Sequence, residues 1–349
     1  MFLIRADGNA KIGAGHLMRC MTIAEELAAF KGREEILFVC ADAESALLVR
    51  ENGFQAHVLG TDYRDMEQEL TQWHALMDKL KGSGTAVGHV LLVDSYFVTE
   101  VYLTELSRLG RVVLMDDMGR YAYPVDCVVN YNASADPVYY SNLYEGQSTR
   151  LLIGSSYVPI RRQFQNGHYR VAEQVRDVLL TTGGGDSENI AGAILKHIWD
   201  RELRFHLVTG RFNPHLVELE ELAKCLDGVF IYHDVKDMAG LMRQCDVAVT
   251  AGGSTIYELS ALGVPFICFS YAENQEALVD YVETFGSGVA AGKWHRDPEK
   301  TLNRIGELLV RLRVDRKKRE DLSLRERAMV DGGGAGRLAE VLMEIWRER

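Results

Sequence analysis

Short runs of apolar residues recur along this chain, and stretches with helical periodicity separate them. In the first half the runs lie at residues 2–4, 36–40, 55–59, 89–94, 111–117 and 126–130, and in the second half they begin at residues 177, 204, 228, 246 and 264. Continuous apolar strands that alternate with helices are typical of parallel sheets covered on both faces. The alternation therefore predicts an α/β chain with doubly wound sheets.

The length of the chain predicts two domains that share this pattern. At 349 residues the chain exceeds the usual size of a single hydrophobic core, and its apolar fraction of 47% is sufficient for two. We expect one Rossmann-like domain over residues 1–160 and a second over residues 170–325. The pattern of residues 326–349 predicts a helical tail. A glycine-rich break within it leaves a last helix that begins at Leu338 and could pack on the first domain.

A glycine-rich junction follows the first apolar run, at residues 5–20. Gly13 and Gly15 lie between that run and a helical pattern, so free backbone N–H groups and the positive end of the helix dipole suit an anion such as phosphate. His16 lies where the loop becomes the helix, and a neutral imidazole beside a bound anion can act as a general base near pH 7. The residues alone leave a second interpretation open, in which His16 only caps the helix or hydrogen-bonds within the loop.

Polar side chains follow three of the predicted strands in the first half. They are Asp94, Ser95 and Tyr96; Asp116 and Asp117; and Asn130, Tyr131 and Asn132. Ligands of parallel sheets bind beyond the carboxyl ends of the strands. We therefore expect these groups to point into one cleft together with His16.

The strongest candidate for a second phosphate site is a glycine turn in the second half. Gly252 and Gly253 allow the backbone to approach a diphosphate closely. Ser254 and Thr255 can donate hydroxyl groups at the start of the helix that follows. Glu258, one turn into that helix, could accept both hydroxyls of a ribose. The spacing of Thr255 and Glu258 is equally that of a capping box, in which the carboxylate only bonds the N–H group of the cap residue.

Two further segments of the second half are candidates for substrate contacts. Asn274 and Gln275 begin the helix after the next strand, so their amides could reach a sugar from the same edge, or they could be an ordinary polar helix start. Gly183 begins a G-G-G-D turn at residues 183–186, which could bind a ligand or could be a tight turn with none.

Composition and motifs argue against several classes of function. The net charge of −11 argues against a general nucleic-acid or anionic-membrane surface. No apolar run approaches the roughly 20 residues of a membrane span, and six cysteines without a C-x-x-C pair fit reduced thiols in a cytoplasmic protein. Residues 11–16 lack the third glycine of a dinucleotide motif, and no Walker lysine pattern occurs, so a nicotinamide dehydrogenase and a P-loop NTPase are disfavoured.

Taken together, the motifs of both halves resemble those of a known enzyme family. The motifs are R-A-D-G-x-x-x-I-G-x-G-H-x-M-R-C at 5–20, Asp94, Asp116 with Asp117, G-x-x-Y-x-x-x-R at 154–161, G-G-G-D at 183–186, A-G-G-S-T-x-Y-E-L-x-A-L-G-V-P at 251–265 and E-N-Q at 273–275. They resemble the UDP-2,4-diacetamido-2,4,6-trideoxy-β-L-altropyranose hydrolases of pseudaminic acid biosynthesis and the related spore-coat polysaccharide proteins. The second half is more distantly similar to the UDP-N-acetylglucosamine transferase of peptidoglycan synthesis, which implies the GT-B architecture with an interdomain cleft.

For the first domain, the resemblance implies that His16 is the catalytic base and that Gly13 and Gly15 lie against the phosphates of the donor. A water deprotonated by His16 and oriented by Asp94 would attack the sugar and give free sugar and UDP. Helix N-termini with serine and threonine hydroxyls can neutralise the leaving UDP, so we expect the reaction to need no metal and no cofactor.

For the second domain, the resemblance implies that the turn at residues 252–255 holds the diphosphate and that Glu258 binds ribose. It also implies that Asn274 and Gln275 face the sugar and that uracil lies against the loop at residues 233–238. The expected partner is therefore a UDP-sugar, with no nucleic acid and no membrane.

Three other functions stay open at this point. A GT-B glycosyltransferase would use the same base and donor site with an acceptor hydroxyl in place of water; its cleft should be long or apolar-mouthed, whereas that of a hydrolase should be small and polar. A UDP-sugar 2-epimerase shares the architecture but needs carboxylates placed to shift a proton at C2. A non-catalytic nucleotide-sugar sensor is disfavoured because the chain keeps both His16 and the phosphate turns.

Overall fold

The computed structural model describes residues 1–9, 11–82, 88–165, 169–183, 186–210 and 213–348. It divides the chain into two compact units, of which unit 1 comprises Met1–Arg161 and Gly333–Arg349 and unit 2 comprises Arg162–Gly332. Within the described residues, unit 1 contains one parallel sheet of seven strands and unit 2 one parallel sheet of six. The predicted doubly wound α/β fold is confirmed.

In unit 1, strands and helices alternate along the chain. In order, they are β1 (Phe2–Ala6), α1 (Gly15–Lys31), β2 (Ile36–Cys40), α2 (Ala43–Glu51), β3 (Gln55–Val58), α3 (Leu70–Gly82), β4 (Val90–Asp94), α4 (Glu100–Ser107), β5 (Arg111–Met115), β6 (Cys127–Asn130), α5 (Pro137–Leu143) and β7 (Arg150–Ile153). The strand order is β3-β2-β1-β4-β5-β6-β7. The order therefore reverses between β1 and β4.

Both faces of β1 are buried, which explains why its sequence is continuously apolar at the start. Phe2 and Ile4 belong to the cluster that includes residues of α1, and Leu3 belongs to the cluster on the other face, which includes Trp73 of α3. A strand buried on both faces needs apolar side chains at successive positions and not at alternate ones. This is the physical basis of the apolar runs in the sequence.

Unit 2 repeats the alternation. Its elements are β8 (Asp177–Thr181), α6 (Ile190–Ile198), β9 (Arg204–Thr209), α7 (Leu216–Cys225), β10 (Val229–His233), α8 (Met238–Gln244), β11 (Val247–Ala251), α9 (Thr255–Leu262), β12 (Phe266–Ser270), α10 (Glu276–Phe285), β13 (Val289–Lys293), α11 (Pro298–Val314) and α12 (Arg316–Met329). The strand order is β10-β9-β8-β11-β12-β13, so it reverses between β8 and β11. Every helix that the structure describes in either unit is too short or too polar to span a lipid bilayer.

Two strands of the structure, β7 and β13, were not predicted from the sequence. Each is the last strand at one edge of its sheet, and most of its residues are partly buried or exposed. An edge strand needs fewer apolar side chains than a central one, and the apolar runs of these two strands, at residues 151–153 and 289–291, are only three residues long.

The predicted start of the last helix is wrong. Helix α13 (Gly334–Arg347) begins four residues before Leu338 and belongs to unit 1. A Cβ atom on Gly334 would lie 2.2 Å from the carbonyl oxygen of Val158. The glycine therefore allows the helix start to approach the backbone of unit 1 and does not break the helix. Leu338 packs in the same cluster as Phe2.

Arg5 is a fully buried arginine in β1 that is paired with two carboxylates. Its Nε donates to Glu69 Oε2 at 2.8 Å, its Nη2 also donates to Glu69, and its Nη1 donates to Asp7 Oδ2 at 2.5 Å. The Tyr102 hydroxyl donates to Glu69 Oε2 at 3.1 Å, and Trp73 Nε1 donates to the Tyr102 oxygen at 2.8 Å. Buried charges are tolerated only when they are paired and hydrogen-bonded, so this network fixes the segment that follows β1.

We expect Glu69→Gln to lower the free energy of unfolding by about 3–5 kcal/mol, because Arg5 would lose its main buried counter-ion. The measurement is a urea titration of both proteins. Asp62→Asn is the control, since the carboxylate of Asp62 pairs with Arg64 at the exposed surface of the same unit and should change stability little. An unfolding midpoint of Glu69→Gln equal to that of the control would contradict the importance of this pair.

Candidate active site

Most candidate residues of each unit lie at the ends of the two strands at which the strand order reverses, or directly after them. In unit 1 they follow β1 and β4, and in unit 2 they follow β8 and β11. The connections after such a pair of strands leave the sheet on opposite faces, which opens a crevice at the carboxyl ends of the strands. The fold thus brings residues that are distant in sequence to the edge where ligands of parallel sheets bind.

His16 and Asp94, the two candidate catalytic residues, are in direct contact. His16 is the second residue of α1, Asp94 is the last residue of β4, and 2.6 Å separates His16 Nδ1 from Asp94 Oδ1. Burial raises the pKa of the Asp94 carboxyl, but the Arg19 guanidinium and His16 outweigh burial and hold this pKa well below its usual range. An ionised carboxylate only accepts hydrogen bonds, so the 2.6 Å contact assigns a proton to Nδ1 of His16.

Arg19 was not predicted as a site residue, yet it has more partners than any other side chain around His16. Its Nε and Nη2 each donate to one carboxylate oxygen of Asp94, both at 2.5 Å. Its Nη1 donates to Asp117 Oδ2 at 2.8 Å and to the Tyr131 hydroxyl at 2.7 Å. The available signal was the spacing of three residues from His16, which places both side chains on one face of α1.

Tyr96 connects Asp117 to His16. Its hydroxyl donates to Asp117 Oδ2 at 3.3 Å, and its ring meets the His16 ring edge-on, with 4.6 Å between the ring centres. Burial and then the Asp117 carboxylate raise the pKa of Tyr96 to about 12, so the hydroxyl keeps its proton at neutral pH. The imidazole is therefore in contact with both Asp94 and Tyr96.

Asp116 and Asn130 have structural partners and do not bond to His16. Asp116 Oδ1 accepts from the backbone N–H groups of Met118 and Gly119, each at 3.0 Å. The side-chain amide of Asn130 donates to the Tyr140 hydroxyl at 2.9 Å. These two residues fix the loops after β5 and β6. Of the polar groups expected to join His16, contacts connect Asp94, Tyr96, Asp117 and Tyr131 to it directly or through Arg19, and Ser95 lines the cavity beside it.

A cavity of about 260 Å³ lies beside His16. Its lining consists of Asp7, Ile12, His16, Tyr63, Asp94, Ser95, Tyr96 and Phe97. Tyr63 and Phe97 meet edge-on with 5.8 Å between their ring centres, and Tyr96 keeps 57% of its surface exposed. His16 itself is only 9% exposed. The cavity is therefore small, with a mainly apolar wall and one histidine whose Nδ1 is already bonded.

The start of α1 is an open helix end next to this cavity. Its cap residue, Ala14, makes no side-chain hydrogen bond to the helix. Within the described residues, the backbone N–H groups of Gly15 and His16 have no acceptor. Gly13 has a φ of 74°, in the left-handed region that favours glycine, and donates its N–H to the Asn9 carbonyl at 2.8 Å. An exposed helix start with free N–H groups can bind an anion.

Helix α9 of unit 2 also has an open start. The helix begins at Thr255, and the cap residue Ser254 makes no side-chain hydrogen bond to it. Because Thr255 is the first helical residue and not the cap, its spacing from Glu258 is not that of a capping box. The backbone N–H groups of Ser254 and Thr255 have no acceptor in the part of the chain that is described.

The two glycines of this turn have different surroundings. A Cβ atom on Gly252 would lie 2.6 Å from Cγ2 of Val279, so Gly252 is required by the packing of α10. A Cβ atom on Gly253 would have no neighbour within 4 Å. The fold therefore does not require Gly253 to be a glycine.

The G-G-G-D turn differs from the turn before α9. Gly183 follows β8, whereas Gly184 and Gly185 lie outside the described residues. The Asp186 carboxylate accepts from the backbone N–H groups of the first two residues of α6, both at 2.8 Å. A carboxylate of the chain therefore already occupies the start of α6, which leaves α9 as the open helix start beside the strand reversal of unit 2.

Asn274 and Gln275 lie in a short 3-10 turn, Glu273–Gln275, after β12. The Asn274 side chain is exposed, whereas Gln275 Oε1 accepts from the backbone N–H of Tyr271 at 3.0 Å. Strands β8, β11 and β12 are neighbours in the sheet. This turn, Gly183 and the turn before α9 therefore follow adjacent strands at one edge of unit 2.

Comparison with known proteins gives relatives over most of the chain, although no family model matches it. The chain is 26% identical over 358 residues to the spore coat polysaccharide biosynthesis protein SpsG of Bacillus subtilis. This alignment covers 99% of this chain and 98% of SpsG. It is 22% identical over 286 residues to the UDP-2,4-diacetamido-2,4,6-trideoxy-β-L-altropyranose hydrolase of Campylobacter jejuni, over 81% of this chain and 96% of the hydrolase. An uncharacterised protein of Methanocaldococcus jannaschii is 25% identical over 317 residues, and the match spans 85% of this chain but only 60% of that protein. The resemblance inferred from the motifs is confirmed.

Solved structures of glycosyltransferases share the fold. MurG of Acinetobacter baumannii superposes with a TM-score of 0.68 at 11% identity, over 98% of this chain and 99% of MurG. A UDP-glucosyltransferase from Polygonum tinctorium gives a TM-score of 0.70 at 14% identity, over 100% of this chain and 99% of that enzyme. At such low identity the likeness concerns the fold alone. The chain has the GT-B fold, with one Rossmann-like sheet in each unit.

Proposed function

We propose that this protein is an enzyme that hydrolyses a UDP-linked amino or deoxy sugar to the free sugar and UDP. The reaction would serve the synthesis of a nonulosonate of the pseudaminic acid type or of another surface polysaccharide, as the names of the Campylobacter and Bacillus relatives suggest. The observation that carries the proposal is the contact of His16 with Asp94 beside a small cavity.

His16 is the base in this reaction. With the proton of the neutral ring on Nδ1, the lone pair is on Nε2. Nε2 takes a proton from water as the water oxygen bonds to the anomeric carbon, and the bond from that carbon to the diphosphate breaks. UDP leaves with the electron pair of the broken bond. General base catalysis of this kind contributes roughly 10² to 10⁴ in rate.

Asp94 acts on His16 and not on the water. Its Oδ1 faces His16 Nδ1 and Arg19 Nη2, and its Oδ2 accepts from Arg19 Nε and, at 3.4 Å, from the Cys20 thiol. The side chain has no exposed surface. A carboxylate with both oxygens engaged in this way orients the imidazole, as in other base and carboxylate pairs.

The diphosphate binds at the open start of α9. The free N–H groups of Ser254 and Thr255, their hydroxyls and the helix dipole all favour a negative charge there, and Gly253 leaves room for the backbone to approach it. These groups stabilise the leaving UDP without a metal ion. At the start of α1, the N–H groups of Gly15 and His16 offer a second set of donors for phosphate, whereas Gly13, whose N–H is bonded to Asn9, leaves room for the phosphate beside them.

The rest of the nucleotide sugar follows the same edge of unit 2. Glu258, which does not form a capping box with Thr255, binds the ribose hydroxyls. The loop at residues 233–238, after β10, binds uracil. Asn274 faces the sugar with its exposed amide. Gln275 joins it with the nitrogen of its amide, since the oxygen is bonded to the backbone.

A glycosyltransferase is the second candidate, and one observation favours it. The cavity is small, as expected for attack by water, but Ile12, Tyr63 and Phe97 make its wall apolar, as expected for an acceptor site. A volume of about 260 Å³ lies below the usual range of small-molecule sites. We favour hydrolysis, because an apolar wall also suits the methyl groups of a deoxy or acetamido sugar.

The function is tested by incubating the protein with a panel of UDP-sugars in water with EDTA, without any acceptor. We expect release of UDP from an amino or deoxy sugar, with free sugar identified by NMR, and a much lower rate with UDP-glucose. Turnover that needs an acceptor alcohol would establish the transferase instead. Loss of turnover in EDTA that added metal restores would contradict the metal-free mechanism.

We expect His16→Asn to lower turnover by roughly 10² to 10⁴ while the melting temperature and the affinity for UDP stay close to those of the wild type. Asparagine can keep a hydrogen bond to Asp94, but it cannot accept the proton of water. The measurements are steady-state UDP release, a thermal melt and UDP titration calorimetry. His74→Asn, an exposed histidine of α3, is the matched control and should keep full turnover. A variant that turns over like the control would reject His16 as the base.

We expect Gly253→Val to fold normally and to bind UDP roughly 10 to 100 times more weakly. The valine side chain would fill the space through which the diphosphate reaches the backbone N–H groups of Ser254 and Thr255. Gly252→Ala is the comparison: its Cβ meets Val279, so this variant should melt at a lower temperature. Calorimetry with UDP and thermal melts separate the two effects. Wild-type affinity in folded Gly253→Val would remove this turn from the nucleotide site.

A further inference from the structure

Five side chains of unit 1 form a closed ring of contacts that includes His16. The ring runs from His16 to Asp94, Arg19, Asp117 and Tyr96, and back to His16. Four of the five contacts are hydrogen bonds or ion pairs, and the fifth is the edge-on contact of two rings. His16 is therefore held at two points, by a carboxylate at Nδ1 and by the ring of Tyr96.

Arg19 is the member on which both arms of the ring depend. Its planar guanidinium is bidentate on Asp94, with both distances 2.5 Å, and the third nitrogen is 2.8 Å from Asp117 Oδ2. The carboxylates of Asp94 and Asp117 fix the plane of the Arg19 guanidinium. Because its N–H groups point in set directions, the guanidinium in turn fixes the rotation of each carboxylate. Oδ1 of Asp94 is thereby placed against Nδ1 of His16.

The charge of Arg19 matters as well as its shape. Asp94 is buried and ionised, so it needs a positive partner. Without Arg19, the nearest group able to supply a positive charge is the imidazole itself, which would favour the imidazolium ion of His16. An imidazolium cannot accept a proton from water. A guanidinium that neutralises Asp94 leaves His16 free to stay neutral.

We propose that Arg19 is a positioning residue that keeps His16 neutral, with its proton on Nδ1, and fixes the ring for proton abstraction. It acts on His16 through Asp94 on one side of the ring of contacts and through Asp117 and Tyr96 on the other, and its Nη2 also lies 3.2 Å from His16 Nδ1. The proposal rests on the proposed role of His16 as the base. It assigns no contact between Arg19 and the substrate.

The decisive variant is Arg19→Lys, which keeps the positive charge but replaces the planar, bidentate guanidinium by a single ammonium group. In ¹⁵N-labelled wild-type protein, the His16 ring, identified by its loss in His16→Asn, should give the NMR signature of a neutral ring with the proton on Nδ1. In Arg19→Lys we expect a mixture of the two neutral tautomers at the same pH, because lysine keeps the positive charge but loses the planar geometry that orients Asp94. We also expect kcat to fall by roughly 10² with little change in KM, since a displaced base costs rate and not binding.

Two further variants make the test specific. Asp117→Asn removes the second ion pair of Arg19 in an isosteric way and should shift the His16 signature in the same direction, by less. Arg33→Lys alters an exposed arginine of unit 1 that bonds Glu25 at 2.6 Å, and should leave the signature and kcat at wild-type values. If Arg19→Lys does not fold, the His16 signature and kcat of Asp117→Asn decide whether the ring of contacts around Arg19 positions His16.

A wild-type His16 signature and wild-type kcat in the folded variants would overturn the proposal, because a merely structural ion pair would change only the melting temperature. The NMR measurement needs no substrate. If the wild-type protein hydrolyses no UDP-sugar, the proposed function fails, while the tautomer of His16 in Arg19→Lys still decides whether Arg19 positions the ring.

Discussion

The site of unit 1 depends on the compensation of one buried charge, the carboxylate of Asp94. An ion of this kind costs several kcal/mol to bury unless cations and N–H donors surround it. Arg19 supplies two donors and His16 a third. Since β1 and β4 are adjacent, with Ala6 opposite Asp94, the start of α1 is the nearby element that can provide them. The orientation of the histidine thus follows from the electrostatic requirement of its neighbour.

A second constraint, which acts in both units, comes from the N–H groups at helix starts. These groups have no partner within the helix and need a hydrogen-bond acceptor from the chain, from water or from a ligand. Side chains cap α2, α4, α5, α6, α8, α11 and α12. Helices α1, α7, α9, α10 and α13 have no such cap, and of these five, α1 and α9 begin beside the point where the strand order of their sheet reverses. At each of the two strand reversals, where parallel sheets bind ligands, one helix therefore starts without a side-chain cap.

The sequence was informative wherever one local property decided the structure. Burial on both faces requires continuous apolar runs, so the central strands could be predicted, and glycines after such runs indicated the two turns. His16 and Asp94 could be placed in one cleft because both lie at the carboxyl end of a predicted strand or just after it, but their direct contact was not predicted. Arg19 could not be distinguished from an ordinary surface arginine, since only the tertiary fold places two carboxylates around it. The same holds for Gly334, whose neighbour Val158 is distant in sequence, and for Asp186, whose bonds to α6 depend on the loop conformation.

Helix α13 has a consequence for the order in which the protein is made. Its residues Leu338 and Leu342 pack in the same cluster as Leu17 and Leu27 of α1, the helix that begins beside His16. A ribosome adds residues from the N-terminus onward, and unit 2 is one continuous segment that precedes α13. Unit 2 thus has all of its residues while the apolar face of α1 still lacks its cover. Unit 1, which carries His16, can therefore complete this cluster only after every residue of unit 2 has been synthesised.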